Sequence, residues 1–210
     1  MALNDPHAGQ PVLSRGPTPG DARIVTILVH GRGATAESIL SLADAVDLGD
    51  VSYLAPQASE RTWYPHSFLT PIAQNEPFLT SALGALDALV NDLHGQGVAS
   101  EHIAFAGFSQ GGCLSLEFAA RHARRYAAVA GLSAGLIGPP GTLRDYAGSF
   151  AGTPVFLGCS DADAHIPLAR VHESSDVFRR LGAVVDERVY PGMGHMVSQD
   201  EIEALRAMLK

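Results

Sequence analysis

The chain has 210 residues, of which 46% are hydrophobic and 17% charged, as expected of one globular domain. Its formal net charge of −8 argues against nucleic acid or an anionic membrane as a partner, because both are themselves negatively charged. Two cysteines, Cys113 and Cys159, are too few for a disulfide framework and do not have the spacing of metal ligands.

The first 21 residues are rich in proline and glycine and show no hydrophobic periodicity. They predict a flexible N-terminal segment over residues 1–21, with an edge strand near 11–15, followed by a single domain over residues 22–210. No basic stretch precedes an apolar run, so we expect no signal peptide. No apolar run approaches the ~20 residues needed to span a bilayer, and we therefore expect a cytoplasmic protein without a membrane span.

From residue 23 onward, apolar runs of strand length alternate with segments of helical periodicity. They predict strands at 23–30, 50–56, 102–108, 126–133, 154–160 and 184–191, and helices at 35–46, 76–94, 111–124, 168–181 and from Ser198 onward. Strands that are apolar throughout and separated by helices indicate a mostly parallel sheet with helices on both faces. Ligands of such sheets bind beyond the carboxyl ends of the strands, so catalytic residues are expected just after strands.

Two serines stand in a Gly-x-Ser-x-Gly pattern, which in some hydrolases presents a nucleophile on a sharp turn from strand to helix. G-F-S-Q-G at 107–111 places Ser109 between a predicted strand and a predicted helix. G-L-S-A-G at 131–135 places Ser133 after a strand, but the glycines and prolines at 135–141 prevent a helix from starting there. The context therefore favours Ser109 as the nucleophile and predicts a loop position for Ser133.

A serine nucleophile needs a histidine base and a carboxylate that orients it, in the chain order serine, acid, histidine for this type of turn. His195 lies between the last predicted strand and the last helix, whereas His172 falls inside a predicted helix. The acid is expected after the preceding strand, where GCSDADAHIP offers both Asp161 and Asp163. Spacing alone leaves both aspartates open.

Acyl transfer also needs backbone N–H groups that stabilise the developing oxyanion. The segment H-G-R-G at 30–33 follows the first long strand and offers the N–H of Arg32. Gln110, directly after the nucleophile, offers the second N–H at a helix N-terminus.

Six segments occur in one order along the chain: LVHGRGA, LAPQA, TWYP, AFAGFSQGG, DAHIP and GMGH. Together they resemble the small carboxylesterase/phospholipase-like family of α/β-hydrolases, which includes acyl-protein thioesterases and bacterial carboxylesterases. The resemblance implies the α/β-hydrolase fold and, matched on Ile166 and Pro167, Asp163 as the acid. The sequence departs from the family at Ala164, where proline is frequent, and at His165, where an apolar residue is usual, so His165 is expected to alter the polarity of the site.

Only a short loop fits between the strands that end near 133 and begin at 154, so no lid domain is expected. The segment 58–78 is the other expected wall of the site, with Trp63, Tyr64 and His165 as candidate substrate-binding residues. For the two aromatic residues, packing in the core is the alternative.

The predicted function is hydrolysis of small to medium carboxylic esters through an acyl-enzyme, with a small-molecule ester as partner and no cofactor. Alternatives are a thioesterase or lysophospholipase for longer acyl chains, a dienelactone-hydrolase-like enzyme, and a catalytically silent ligand-binding protein. A dienelactone hydrolase would carry cysteine at position 109. A metal site at Asp161, Asp163 and His165 is disfavoured, because its three ligands crowd into five residues without a further partner. The sequence leaves monomer and homodimer open.

Overall fold

A computed structural model describes residues 5–210 as one central sheet flanked by helices. The strands are β1 (Val12–Arg15), β2 (Ile24–Val29), β3 (Val51–Pro56), β4 (Ile103–Phe108), β5 (Ala128–Leu132), β6 (Pro154–Ser160) and β7 (Val184–Tyr190). The helices are α1 (Ala36–Ile39), α2 (Ser41–Val46), α3 (Phe78–Gly95), α4 (Gln110–Arg121), α5 (Leu168–Arg180) and α6 (Gln199–Met208).

The seven strands have the order β1-β3-β2-β4-β5-β6-β7, and only the pair β1–β3 is antiparallel. The mostly parallel sheet predicted from the sequence is confirmed. β4 lies at the centre of this order, so its carboxyl end, and the serine after it, sit in the middle of the edge where such sheets bind ligands.

Each face of the sheet has its own hydrophobic layer. All six residues of β2 are buried, with Val25 and Ile27 contributing to one layer and Ile24 and Leu28 to the other. The first layer holds side chains from α3, α4 and α5, and the second holds side chains from α1, α2 and α6. Burial on both faces explains why the strands read as continuous apolar runs.

The helices differ most from their predicted bounds in two places, whereas the bounds of α3 and α5 shift by one or two residues. The segment predicted as one helix at 35–46 is divided into α1 and α2, and Thr35 begins it with a capping box. α4 begins at Gln110 and ends at Arg121, three residues before the predicted end. Between β5 and β6, residues 133–153 contain no helix and no strand beyond an isolated bridge, in keeping with the absence of a lid domain.

Most of the N-terminal segment that the sequence predicts to be flexible is exposed over residues 5–21, and His7 is its one buried residue there. Residues 1–4 lie outside the described range. His7 is buried, and its ring hydrogen-bonds the Ser59 N–H at 3.1 Å and the Trp63 carbonyl at 2.9 Å. The predicted edge strand forms as β1. No helix among residues 5–210 is long and apolar enough to cross a membrane.

Candidate active site

Ser109 occupies a strained turn between β4 and α4. Its φ of 54° and ψ of −122° lie outside the backbone regions that residues other than glycine ordinarily adopt. Its N–H donates to the Leu132 carbonyl at 2.9 Å. A Cβ on Gly107 would lie 2.5 Å from the backbone of Gly111, and one on Gly111 would lie 2.1 Å from the Val29 carbonyl oxygen. Only glycine allows the strand, the turn and the helix to approach this closely.

Ser109, His195 and Asp163 form a continuous hydrogen-bonded chain. The Ser109 Oγ lies 2.9 Å from His195 Nε2, and His195 Nδ1 lies 2.7 Å from Asp163 Oδ2. The three residues follow β4, β7 and β6, so the parallel sheet brings together positions that are 86 and 32 residues apart.

Asp163 is held in its ionised form by its surroundings. Its other oxygen, Oδ1, accepts the backbone N–H groups of His165 at 2.8 Å and Ile166 at 3.0 Å. Burial by itself raises the pKa of Asp163, but the hydrogen bonds from His195 and from these two N–H groups outweigh it and place the pKa below its ordinary value. An ionised Asp163 accepts the Nδ1–H of His195, which leaves Nε2 as the acceptor that faces Ser109.

Asp161 supports the loop of His195 instead of its ring. Asp161 Oδ1 accepts the Gly192 N–H at 2.8 Å, and the Ser160 Oγ accepts the Gly194 N–H at 3.0 Å. On the other side, the Phe108 ring lies 4.8 Å from the imidazole of His195, centroid to centroid. These three positioning contacts were not predicted. Ser160 and Phe108 stand at the ends of strands, next to the positions where the sequence predicts catalytic residues.

The competing candidates lie away from this chain of hydrogen bonds. Ser133 is fully buried, and its N–H donates to the Gly158 carbonyl at 2.7 Å. It shares the positive φ of Ser109, at 45°, but no helix follows it and it does not line the cavity described below. His172 is exposed on α5 and pairs with Glu187.

The loop that carries the Arg32 N–H lies against the serine turn, and the Gln110 N–H directly follows the serine in the chain. A Cβ on Gly31 would be 3.5 Å from the Cβ of Ser109, which places the 30–33 loop against the turn. Among residues 5–210, neither the Arg32 N–H nor the Gln110 N–H donates to a protein acceptor. Both therefore remain available to an oxygen of a ligand.

The buried side chain of Gln110 links the 58–78 segment to the serine turn through two hydrogen bonds. Its Oε1 accepts the Trp63 N–H at 2.9 Å and its Nε2 donates to the Tyr64 carbonyl at 2.8 Å. The Trp63 indole is fully buried, donates to the His30 carbonyl at 2.9 Å and does not line the cavity. The expected contact of Trp63 with substrate is thus corrected to a packing role, because its indole N–H finds its partner inside the protein.

A cavity of about 460 Å³ opens in front of Ser109 and His195. Its walls include Tyr64 and His165, two of the three candidate substrate-binding residues, and also Arg32, Pro65, His66, Ser67, Phe68, Gln110, Cys113 and Ile166. Burial raises the pKa of Tyr64 well above its ordinary value, with Cys113 nearby adding to the effect, so the phenol stays neutral. The volume falls in the range of small-molecule sites.

No group of three or more histidine, cysteine, aspartate or glutamate residues within 5–210 is arranged to hold a metal ion. Asp163 and Asp161 instead point to different partners, His195 and Gly192.

Comparisons with known proteins place the chain in a family. The model of the Phospholipase/Carboxylesterase family matches residues 18–210. Acyl-protein thioesterase 1 of Saccharomyces cerevisiae is 25% identical over 90% of this chain and 92% of its own. The Gibberella zeae protein of the same name is 31% identical, but the match spans 54% of this chain and 49% of that protein.

Solved structures agree with the sequence match. A phospholipase/carboxylesterase from Dyadobacter fermentans has a TM-score of 0.93 at 39% identity and covers 96% of this chain and 97% of its own. The Bacillus cereus carboxylesterase, at 17% identity and a TM-score of 0.75 over 96% and 94% of the two chains, shares the fold. The chain belongs to the Phospholipase/Carboxylesterase family of α/β-hydrolases, and its carboxylesterase relatives indicate a carboxylic ester hydrolase.

Proposed function

We propose that the protein is a serine esterase that cleaves small to medium carboxylic esters through an acyl-enzyme. The observation that carries this proposal is the hydrogen-bonded chain Ser109–His195–Asp163, with distances of 2.9 and 2.7 Å, at the wall of a cavity. A serine, a base and an orienting carboxylate in this geometry are the groups that acyl transfer requires.

In the proposed acylation step, His195 Nε2 accepts the proton of Ser109 as Oγ attacks the ester carbonyl carbon. Asp163 accepts the Nδ1–H and stabilises the imidazolium that forms. The N–H groups of Arg32 and Gln110 donate to the oxyanion of the tetrahedral intermediate. The imidazolium then protonates the leaving alcohol, and the C–O bond to the alcohol breaks.

In deacylation, water replaces the alcohol. His195 accepts a proton from the water as the hydroxide attacks the acyl carbon, and the same N–H groups stabilise the second oxyanion. Collapse of this intermediate returns the proton to Ser109 Oγ and releases the carboxylic acid. The cycle uses no reactant besides ester and water, which is why no cofactor is part of the proposal.

The proposed size class follows from the cavity. A volume of about 460 Å³, with the buried residues Tyr64, Phe68 and Cys113 in the walls, supports a substrate with a short acyl group and a small alcohol. The thioesterase alternative is supported by the acyl-protein thioesterases among the relatives, and the lysophospholipase alternative shares with it the need to hold a longer acyl chain. A long acyl chain would have to extend beyond this cavity along the protein surface.

The test compares 4-nitrophenyl butyrate hydrolysis by the wild type, Ser109→Ala and Ser133→Ala, each also treated with a fluorophosphonate and weighed intact. We expect turnover and the covalent adduct to be lost in Ser109→Ala only. Full activity in Ser109→Ala would overturn the proposal. Octanoyl and longer esters or thioesters turned over far faster than butyrates would favour the thioesterase alternative.

A further inference from the structure

The polar groups at the cavity are unusual for an acidic protein. The chain carries a formal net charge of −8, yet none of the residues that line the cavity is an aspartate or a glutamate. Three lining residues instead carry N–H donors on exposed side chains: Arg32, His66 and His165. We refer to these three as the donor rim.

The guanidinium of Arg32 is positioned but not neutralised. It donates to the carbonyl oxygens of Pro65 at 2.9 Å and His66 at 2.7 Å, and it lies 6.0 Å from the centre of the Tyr64 ring. Within residues 5–210 it forms no ion pair with a carboxylate. Two of its five N–H groups are used by carbonyls, so the charge and the remaining donors are available to a ligand.

Within residues 5–210, the imidazoles of His66 and His165 form no hydrogen bond. The His165 ring meets the His195 ring at 4.8 Å, and His165 and His66 use their backbone N–H groups, not their imidazoles, to bind Asp163 and Asn75. An imidazole carries at least one N–H in either protonation state, so both rings offer donors. A carboxylate is acceptor-only and pairs best with such charge-assisted donors.

We propose that the enzyme prefers esters that carry an anionic group, such as a carboxylate, in the acyl or the alcohol half, and that the donor rim binds this group. The proposal rests on the esterase function proposed above and names its substrate class. The anionic group belongs either to the alcohol half or to the acyl half of the ester, and both present the same chemistry to the rim.

The test uses ester pairs that differ in one charge. On the alcohol side, 4-butyryloxybenzoate is compared with its methyl ester. On the acyl side, the mono-4-nitrophenyl ester of adipic acid is compared with 4-nitrophenyl methyl adipate. For each pair, the ratio of kcat/KM for the anionic ester to that for the neutral ester is measured in the wild type, Arg32→Gln, Arg32→Lys and His165→Leu. Differences in leaving-group reactivity cancel when ratios are compared between variants.

In at least one pair we expect Arg32→Gln to lower this ratio about tenfold, as loss of a charge-assisted hydrogen bond implies. Arg32→Lys should keep most of the ratio because it keeps the charge, and His165→Leu should lower the ratio by a smaller factor. Arg180→Gln, at the end of α5, removes the same charge away from the cavity and should leave the ratio unchanged.

The outcomes separate the two proposals. If both pairs keep their wild-type ratios in Arg32→Gln and His165→Leu while the neutral esters are still hydrolysed through Ser109, the donor rim does not select anions and the esterase proposal stands. If Arg32→Gln slows both members of each pair equally, its guanidinium serves only to hold the 65–66 carbonyls. If no ester is hydrolysed in a Ser109-dependent way, both proposals fail.

Discussion

Asp161 and Asp163 are two residues apart, yet their replacement by asparagine should have very different effects. In Asp163→Asn, Oδ1 can keep its two backbone N–H donors, but an NH₂ group replaces the Oδ2 that faces His195 Nδ1. The imidazole must then accept at Nδ1 and carry its proton on Nε2, which faces Ser109. A protonated Nε2 cannot accept the serine proton, so the proposed general base is lost.

We expect Asp163→Asn to lower kcat by about 10³–10⁴-fold, the size found when a triad histidine is held in the wrong tautomer. This corresponds to about 4–5.5 kcal/mol of transition-state stabilisation. Asp161→Asn is the matched control, because its Oδ1 can still accept the Gly192 N–H and it does not touch His195. It should lower kcat by less than about fivefold, as for a weakened neutral hydrogen bond.

The assay is 4-nitrophenyl butyrate turnover at pH 7.5, with thermal unfolding measured to show that both variants are folded. The reasoning would be refuted if Asp163→Asn kept more than a tenth of wild-type kcat, or if Asp161→Asn lost as much activity as Asp163→Asn. The second result would mean that the loop of His195, and not its tautomer, limits the reaction.

Three further predictions concern stability and reactivity. Gly111→Ala should destabilise the protein by about 3 kcal/mol in urea unfolding, because its Cβ would meet backbone oxygens at 2.1 and 2.4 Å. Gly84→Ala in α3, where a Cβ would have nothing within 4 Å, should instead stabilise the protein by about 0.5–1 kcal/mol. Equal effects of the two substitutions would contradict the close packing around Gly111. Burial lowers the pKa of His7 and His30 in the folded protein, so these histidines bind protons more readily in the unfolded chain than in the folded one. The free energy of unfolding should therefore fall as the pH drops below about 6.5. Urea unfolding at pH 7.5 and 5.5 measures this loss, which should be smaller in His7→Gln; an unchanged pH dependence would exclude His7 as its source. Burial raises the pKa of Cys113 and of Cys159 to about 12. Ellman's reagent at pH 8 should therefore label neither thiol in the folded protein and both in denaturant. Rapid labelling of the folded protein would contradict this prediction, because it would show that the thiols are accessible.

Much of the fold could be predicted from the chain, because its signals are local. A strand such as β2 is apolar at every position, and both faces of the sheet are covered, so the run and its length indicate a buried parallel strand. The turn around Ser109 was predictable for a similar reason: glycines two residues on either side stand where a Cβ would collide with backbone. His195 was predictable from its place between a strand and a helix cap.

What depended on tertiary structure was the set of contacts between distant segments. Two aspartates in one loop have the same local pattern, so the residues themselves left both open and only the family resemblance favoured Asp163. The approach of the 192–195 loop is what brings His195 to Asp163 and Gly192 to Asp161. The sequence likewise shows Trp63 as a large aromatic residue in a loop. Its burial depends on Gln110 and His30, 47 and 33 residues away. Such hydrogen bonds form only after the sheet has brought the loops together, and so no pattern within a short window of sequence can predict them.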